Sequence, residues 1–282
     1  MNDRNQRVAA ANETLRIIEQ QFYINNKGKR VDIADDLAYA KRHSQLFRGD
    51  DFSLVFAERT NILAKKTATN TLFEVTPETT LQATERLSIS HDKVFCLNFA
   101  SAKNPGGGFL GGSQAQEESL ARSSALYPCI SQMTQMYEGN KRLSSCLYSD
   151  DMIYSPNVPV FKKDDGALLN QYYKVSFLTS PAVNAGVVRE REQDKVKSID
   201  AVMKTRLDKI LSIAVVKGYK VLVLGAWGCG VFRNNPTDVA NYFRHHLMGQ
   251  GLFKDYFDKV VFAVYDPSKD KQVMQAFLKG LN

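Results

Sequence analysis

Two adjacent carboxylates, Glu117 and Glu118, follow a loop that packs five glycines and a proline into residues 105–112, within the stretch NPGGGFLGGSQAQEE (104–118). A carboxyl group can give a proton to a leaving oxygen and then, as carboxylate, take one from water. A glycosidase pair that straddles its scissile bond needs a separation of roughly 5–9.5 Å. Neighbours at a loop–helix junction cannot straddle a substrate in that way. They can present one acid to a leaving oxygen and the other to an adjoining hydroxyl. A helix N-terminus favours their negative charge, and desolvation in a cleft raises a carboxyl pKa. Two acids in a first helical turn are also a common surface feature, so the pair alone does not decide.

A second glycine cluster, GAWGCGVFRNNP (225–236), carries no acid but has the same placement. Each cluster follows an apolar run of strand length, KVFCLNFA (93–100) or YKVLVLGA (219–226), and each precedes a helix. Ligands in open α/β sheets sit at the carboxyl ends of strands. Glycine lets backbone N–H groups approach an anion closely, and a following helix adds a favourable dipole. Two such loops can hold two ends of one phosphorylated ligand, or simply make tight turns. Neither matches the P-loop or the dinucleotide-binding glycine pattern. Trp227 reads equally as a wedge that fixes its loop or as a face for a base or sugar; Phe232 reads as a ligand contact.

The elements that must position these residues are an amphipathic helix over 3–23, with Val8, Leu15, Ile18 and Phe22 on one stripe, and a second over 35–47 capped by Asp35 or Asp36. A strand follows at 71–75, then a helix started by Thr76-Pro77-Glu78. Strands are expected at 93–100, 152–154, 158–161, 174–179, 219–226 and 259–265, with a turn at Asp164-Asp165-Gly166. Residues 190–217 form a helix with Val196, Ile199, Met203, Leu207, Ile210 and Ala214 inward, ended by Gly218. Helices over 236–248 and 268–278 close the chain. Buried strands alternating with helices imply an α/β sheet covered on both faces. Residues 1–70 read as a helical accessory region packed on a core of 71–282, one structural domain in all.

Composition narrows the function further. Hydrophobic residues at 44% and charged residues at 24% are those of a globular domain, and no apolar run approaches the roughly 20 residues needed to span a bilayer. The N-terminus is polar and lacks the apolar core of a secretory signal, so a cytoplasmic location is expected. A net charge of +7 favours anionic partners, although the charges are interspersed. The four cysteines (96, 129, 146, 229) lack metal-site spacing. His245 and His246 lie on a helix where neighbours point about 100° apart and cannot share a ligand.

The triple glycine 106–108, followed after seven residues by Gln116-Glu117-Glu118, resembles the signature of poly(ADP-ribose) glycohydrolases. The longer stretch LNFASAKNPGGGFLGGSQAQEESLARSSALYP (97–128), GAWGCGVFRNNP and FLTSPAVNAG (177–186) are similar to the bacterial-type branch. The resemblance implies a macrodomain, a three-layer α/β/α fold with a mixed central sheet and, here, a helical N-terminal extension. It implies hydrolysis of ribose–ribose bonds in poly(ADP-ribose) from the chain end, releasing ADP-ribose, with no cofactor and no metal. It makes Glu118 the catalytic acid, with Glu117 and Gln116 fixing the ribose and the catalytic residue. Gly106, Gly107 and Gly108 shape the loop around the distal ribose, and Asn104 bonds its hydroxyls. Gly228, Cys229, Gly230, Val231 and Phe232 wrap the diphosphate and the distal ribose. The implied partners are the polymer, ADP-ribose and ADP-ribosylated carrier proteins, with neither membrane nor sequence-specific nucleic-acid binding. Tyr265, Asp266 and Asn184 are adenine-pocket candidates by position only. A macrodomain that reads ADP-ribose without cutting it, and a hydrolase of mono-ADP-ribosyl links, are the competing readings.

Overall fold

The computed structural model describes residues 3–67 and 69–281. Its first element, α1 (Arg4–Gln20), begins where the Asp3 carboxylate accepts the Asn5 N–H. Its buried residues are Ala10, Ala11, Thr14 and Ile17, while Val8, Leu15 and Ile18 are only half-buried. Ala11 packs against Phe109 and Ala121, whereas Ile17 joins Tyr23, Val31 and Ile33 in another cluster. A short hairpin, β1 (Phe22–Ile24) with β2 (Arg30–Asp32), follows. The next helix, α2 (Ala34–His43), takes its N-terminal bond from Asp32, whose Oδ1 accepts from Ala34 N at 2.9 Å. Neither Asp35 nor Asp36 is the cap, and the helix stops short of 47. Residues 45–47 are instead strand β3 (Gln45–Phe47), which joins the central sheet.

After α3 (Phe52–Ala64) come β4 (Leu72–Thr76) and α4 (Thr80–Ser88). The start of α4 lies beyond Pro77 because Thr79 and Gln82 form a reciprocal capping box, with bonds of 3.2 and 2.9 Å. Strand β5 (Val94–Phe99) leads through the first glycine loop to α5 (Gln116–Ser123), α6 (Leu126–Ser131) and α7 (Thr134–Arg142). One long strand, β6 (Met152–Lys162), replaces the two expected, with a register shift between Ser155 and Val158. It pairs with β7 (Leu168–Ser180). Helices α8 (Ala185–Arg191) and α9 (Ile199–Val216) then lead to β8 (Val221–Gly225). Helix α10 (Pro236–Leu247), β9 (Lys259–Ala263) and α11 (Gln272–Gly280) complete the order.

Seven strands form a mixed sheet in the order β3-β6-β7-β5-β8-β9-β4. The pairs from β7 through β4 are parallel, and β3–β6 and β6–β7 are antiparallel. Strand alternation divides the interior in two. Phe95 and Leu97 of β5 face a core shared with α9 and α10, while Val94 and Cys96 face another shared with α4 and α6. The result is three layers. Because β5 and β8 are parallel neighbours, their carboxyl ends, and hence the two glycine loops, lie side by side at one end of the strands in the middle of the sheet.

Candidate active site

Period-two alternation carries Asn98 onto the same face as Cys96, the face covered by α5. There its fully buried amide nitrogen donates to Glu117 Oε1 at 3.2 Å and contacts Thr179 Oγ1 at 3.1 Å. The Ser101 N–H donates to Glu117 Oε2 at 2.7 Å. Glu117 is 2% exposed. Burial pushes its carboxyl up to about 8; the Ser101 and Asn98 donors pull the other way, and the charge of Glu118 adds to the rise. Gln116 ties the start of α5 to the end of β5. Its Oε1 accepts from Phe99 N at 2.8 Å, while its Nε2 donates to Leu97 O at 2.9 Å and Thr80 Oγ1 at 3.3 Å.

Glu118 is half-buried, and its Oε1 accepts the Gly108 N–H at 3.0 Å. The glycine loop thus folds back over the acids that follow it. At Gly107, where φ is +58°, an added Cβ would lie 2.3 Å from Glu118 Oε1 and 3.3 Å from Glu117 Oε2. Only glycine lets the backbone cross both carboxyls at that distance. Asn104 sits at the exposed mouth of this loop, with its carbonyl accepting the Gly107 N–H.

The second loop is shaped from behind. Trp227 is 1% exposed and donates its indole N–H to Ser180 O at 3.0 Å, so it is a wedge. Gly228 has φ +75°, and a Cβ there would meet Ala182 Cβ at 2.5 Å and Asn234 Nδ2 at 2.6 Å. Asn234 braces the turn by donating to Val183 O and Gly228 O. Among the described residues, the backbone N–H groups of Gly228, Gly230, Val231 and Phe232 donate to no acceptor. Cys229 is partly buried, and its thiol is pushed up to about 12 by burial, which keeps it protonated and unreactive. The Val231 side chain is 83% exposed at the loop tip. Phe232 is half-buried, with its ring 5.9 Å from that of Tyr148.

Two of the three positional candidates hold helix starts, and Tyr265 stays exposed. The Asp266 carboxylate accepts from Ser268 N and Oγ and from Val273 N and Met274 N, so it caps α11. Asn184 caps α8 through Val187 N. Tyr265 is 64% exposed. Sequence reasoning missed Asn98, Ser101 and Asn234. A polar residue inside an otherwise apolar strand was a readable signal for Asn98; the other two had none. No helix among the described residues is long and apolar enough to cross a membrane, and none of their His, Cys, Asp and Glu side chains form a group of three or more placed to hold a metal.

The family model of the microbial-type PARG catalytic domain matches residues 11–163. Among solved structures, the chain is similar to poly(ADP-ribose) glycohydrolase from Thermomonospora curvata. Identity is 43% over 98% of this chain and 100% of that one, with a TM-score of 0.93. The same organism's enzyme bound to the inhibitor ADP-HPD matches at 44% identity over 98% and 99%, with a TM-score of 0.89. Poly(ADP-ribose) glycohydrolase from Deinococcus radiodurans in complex with ADP-ribose matches at 38% identity over 87% and 96%, with a TM-score of 0.80. Comparison with curated proteins gave no match.

Proposed function

The chain belongs to the microbial-type poly(ADP-ribose) glycohydrolases, and from that premise we propose that Glu118 is the acid that cuts the ribose–ribose bond. The protein is a glycosidase that hydrolyses poly(ADP-ribose). Glu118 gives its proton to the leaving ribose oxygen as the bond from that oxygen to the anomeric carbon breaks. The positive charge left at the anomeric centre is met by water, and Glu118, now a carboxylate, takes the water's proton and is restored. One water is consumed, one ADP-ribose is released from the chain end, and the polymer is one unit shorter.

The Gly108 N–H steadies Glu118 in its carboxylate stage. Glu117, held at both oxygens, retains lone pairs that can accept from a ribose hydroxyl, and Asn104 borders the same sugar. Gln116 fixes the catalytic helix to the sheet, while Gly106 and Gly107 let the loop close over the acids. The four N–H groups of the second loop cradle the diphosphate, whose charge lies close enough to favour the cationic centre. ADP-ribosylated proteins are the carriers from which the polymer is trimmed. The observation that carries the reading is the glycine backbone laid across Glu118 at a distance that no other residue tolerates.

Release of ADP-ribose from labelled polymer, measured beside ADP-ribose binding, is the test. Glu118→Gln keeps the shape but removes the proton cycle, so turnover should fall by about 10²–10⁴-fold with binding little changed. Near wild-type turnover in a folded, ligand-binding Glu118→Gln protein would move the acid elsewhere. Binding without polymer cleavage by the native protein would favour a reader module.

A further inference from the structure

Arg4 and Arg7 lie one turn apart on α1, and both reach the segment between the glycine triplet and the catalytic helix. Arg4 Nε donates to Gly111 O at 2.8 Å, and Arg7 Nε donates to Gly112 O at 2.7 Å. The helix backbone comes equally close. A Cβ on Gly112 would lie 2.7 Å from Arg4 O and 3.0 Å from Val8 Cγ2. Further along α1, Ala11 packs with Phe109 and Ala121, and the Thr14 hydroxyl donates to the carbonyl of Arg122 on α5. The helix is itself pinned by the buried Lys162, whose Nζ donates to Ala10 O and Thr14 Oγ1, each at 2.9 Å.

The clamped carbonyls belong to a compact turn that starts at Gly108. Gly111 N and Ser113 N both donate to Gly108 O, at 3.0 and 3.1 Å. The N–H of that same Gly108 holds Glu118 Oε1. We propose that Arg4 and Arg7 are positioning residues for the hydrolysis, holding the 108–113 turn in the register that aims the Gly108 N–H at Glu118. This rests on the reading of Glu118 as the acid. It makes the N-terminal helix a working part of the catalytic apparatus, acting through backbone hydrogen bonds and touching no substrate.

The test compares Arg4→Leu/Arg7→Leu with Arg4→Gln/Arg7→Gln. The glutamine Nε2 stands as many bonds from Cα as the arginine Nε does, so it restores a donor without the charge; leucine restores neither. Polymer kcat and KM, ADP-ribose affinity and melting temperature are measured for each. The folded leucine protein should bind ADP-ribose within about twofold of wild type and show little change in KM. Its kcat should fall by about 10–100-fold, because small displacements of a catalytic group are costly. The glutamine protein should recover most of that loss. A purely structural role would lower the melting temperature and leave kcat of the folded protein unchanged, which overturns the proposal. Equal impairment by glutamine and leucine also overturns it, since charge would then be the effective element. Should the double variants fail to fold, Arg4→Leu and Arg4→Gln carry the same comparison. Glu118→Gln run alongside separates the two readings. An active Glu118→Gln protein removes the premise, whereas an inactive one beside a fully active leucine variant defeats the clamp alone.

Discussion

Replacing Gly107 with alanine adds one methyl group at the point where the loop crosses the acids. The new Cβ would start 2.3 Å from Glu118 Oε1 and 2.9 Å from its Cδ. Ordinary contact begins near 3.4 Å, so the carboxyl must retreat by about 1.1 Å. The fold can tolerate this, because the obstructing atoms are the far end of a flexible side chain. Its cost is mainly that of holding alanine at φ +58°, about 1–2 kcal/mol, or a melting temperature lower by roughly 2–8 °C in a protein of this size. With Glu118 as the proposed acid, catalysis has no such escape. A displacement of about 1 Å of a reacting group can lose on the order of 100-fold in rate, and the Gly108 support for Glu118 is disturbed as well. Differential scanning fluorimetry, ADP-ribose titration and polymer turnover at a temperature well below melting separate the two effects. Turnover within about threefold of wild type in the folded Gly107→Ala protein would refute the placement of Glu118 beneath this loop.

Two further predictions concern the second loop and the buried acid. A Cβ at Gly230 meets nothing, and its φ is not in the left-handed region, so Gly230→Val should keep the native melting temperature while lowering ADP-ribose affinity by about tenfold or more; unchanged affinity would place the diphosphate elsewhere. Burial lifts the Glu117 carboxyl to about 8, well above its value of about 4.3 in an unfolded chain. The folded protein therefore holds a proton that the unfolded chain has released, and this contribution, full below about pH 4, is lost as pH rises through about 8. Melting temperature should fall between pH 5 and 8.5, with a loss of a few kcal/mol as the order of magnitude, and Glu117→Gln should flatten most of that slope. An equally steep slope in the Glu117→Gln protein would assign the proton to another group.

What could be read ahead of the structure depended on how local the cause was. Strands β5, β8 and β9 were legible because each is buried on both faces and must be apolar throughout. The glycine loops were legible because backbone crowding leaves a compositional mark. The start of α4 was misplaced because Pro77 suits a first helical turn, yet the Thr79–Gln82 capping box downstream satisfies two donors at once. Strand β3 is three residues long, and it exists because β6 offers it an edge, which no pattern within 45–47 announces. In the site, Glu117, Glu118 and the glycines were visible as a motif, whereas their support was not. Asn234 braces Gly228 through a bond to Val183, 51 residues earlier, and side-chain contacts of that kind leave no periodicity. Trp227 shows the same limit: its burial against Ser180 is decided by a strand 47 residues away.

The seating of α1 also has a consequence for the order of events on the ribosome. Helix α1 has its partners far downstream: Gly111 lies 107 residues after Arg4, and Lys162 lies 152 residues after Ala10. At roughly 5–20 residues synthesised per second, α1 waits on the order of 8–30 s before the lysine that pins it has been made. Ile17 finds cover in Tyr23, Val31 and Ile33 soon after it is made, but the small-residue face of Ala11 and Thr14 stays bare until Phe109, Ala121 and Arg122 follow. That face offers little apolar surface for stray association, and the alanines of α1 hold a helical bias while the partners are built. The nascent chain thus completes its first glycine loop and α5 before α1 can be locked against them, and the lock closes only once Lys162 has been made.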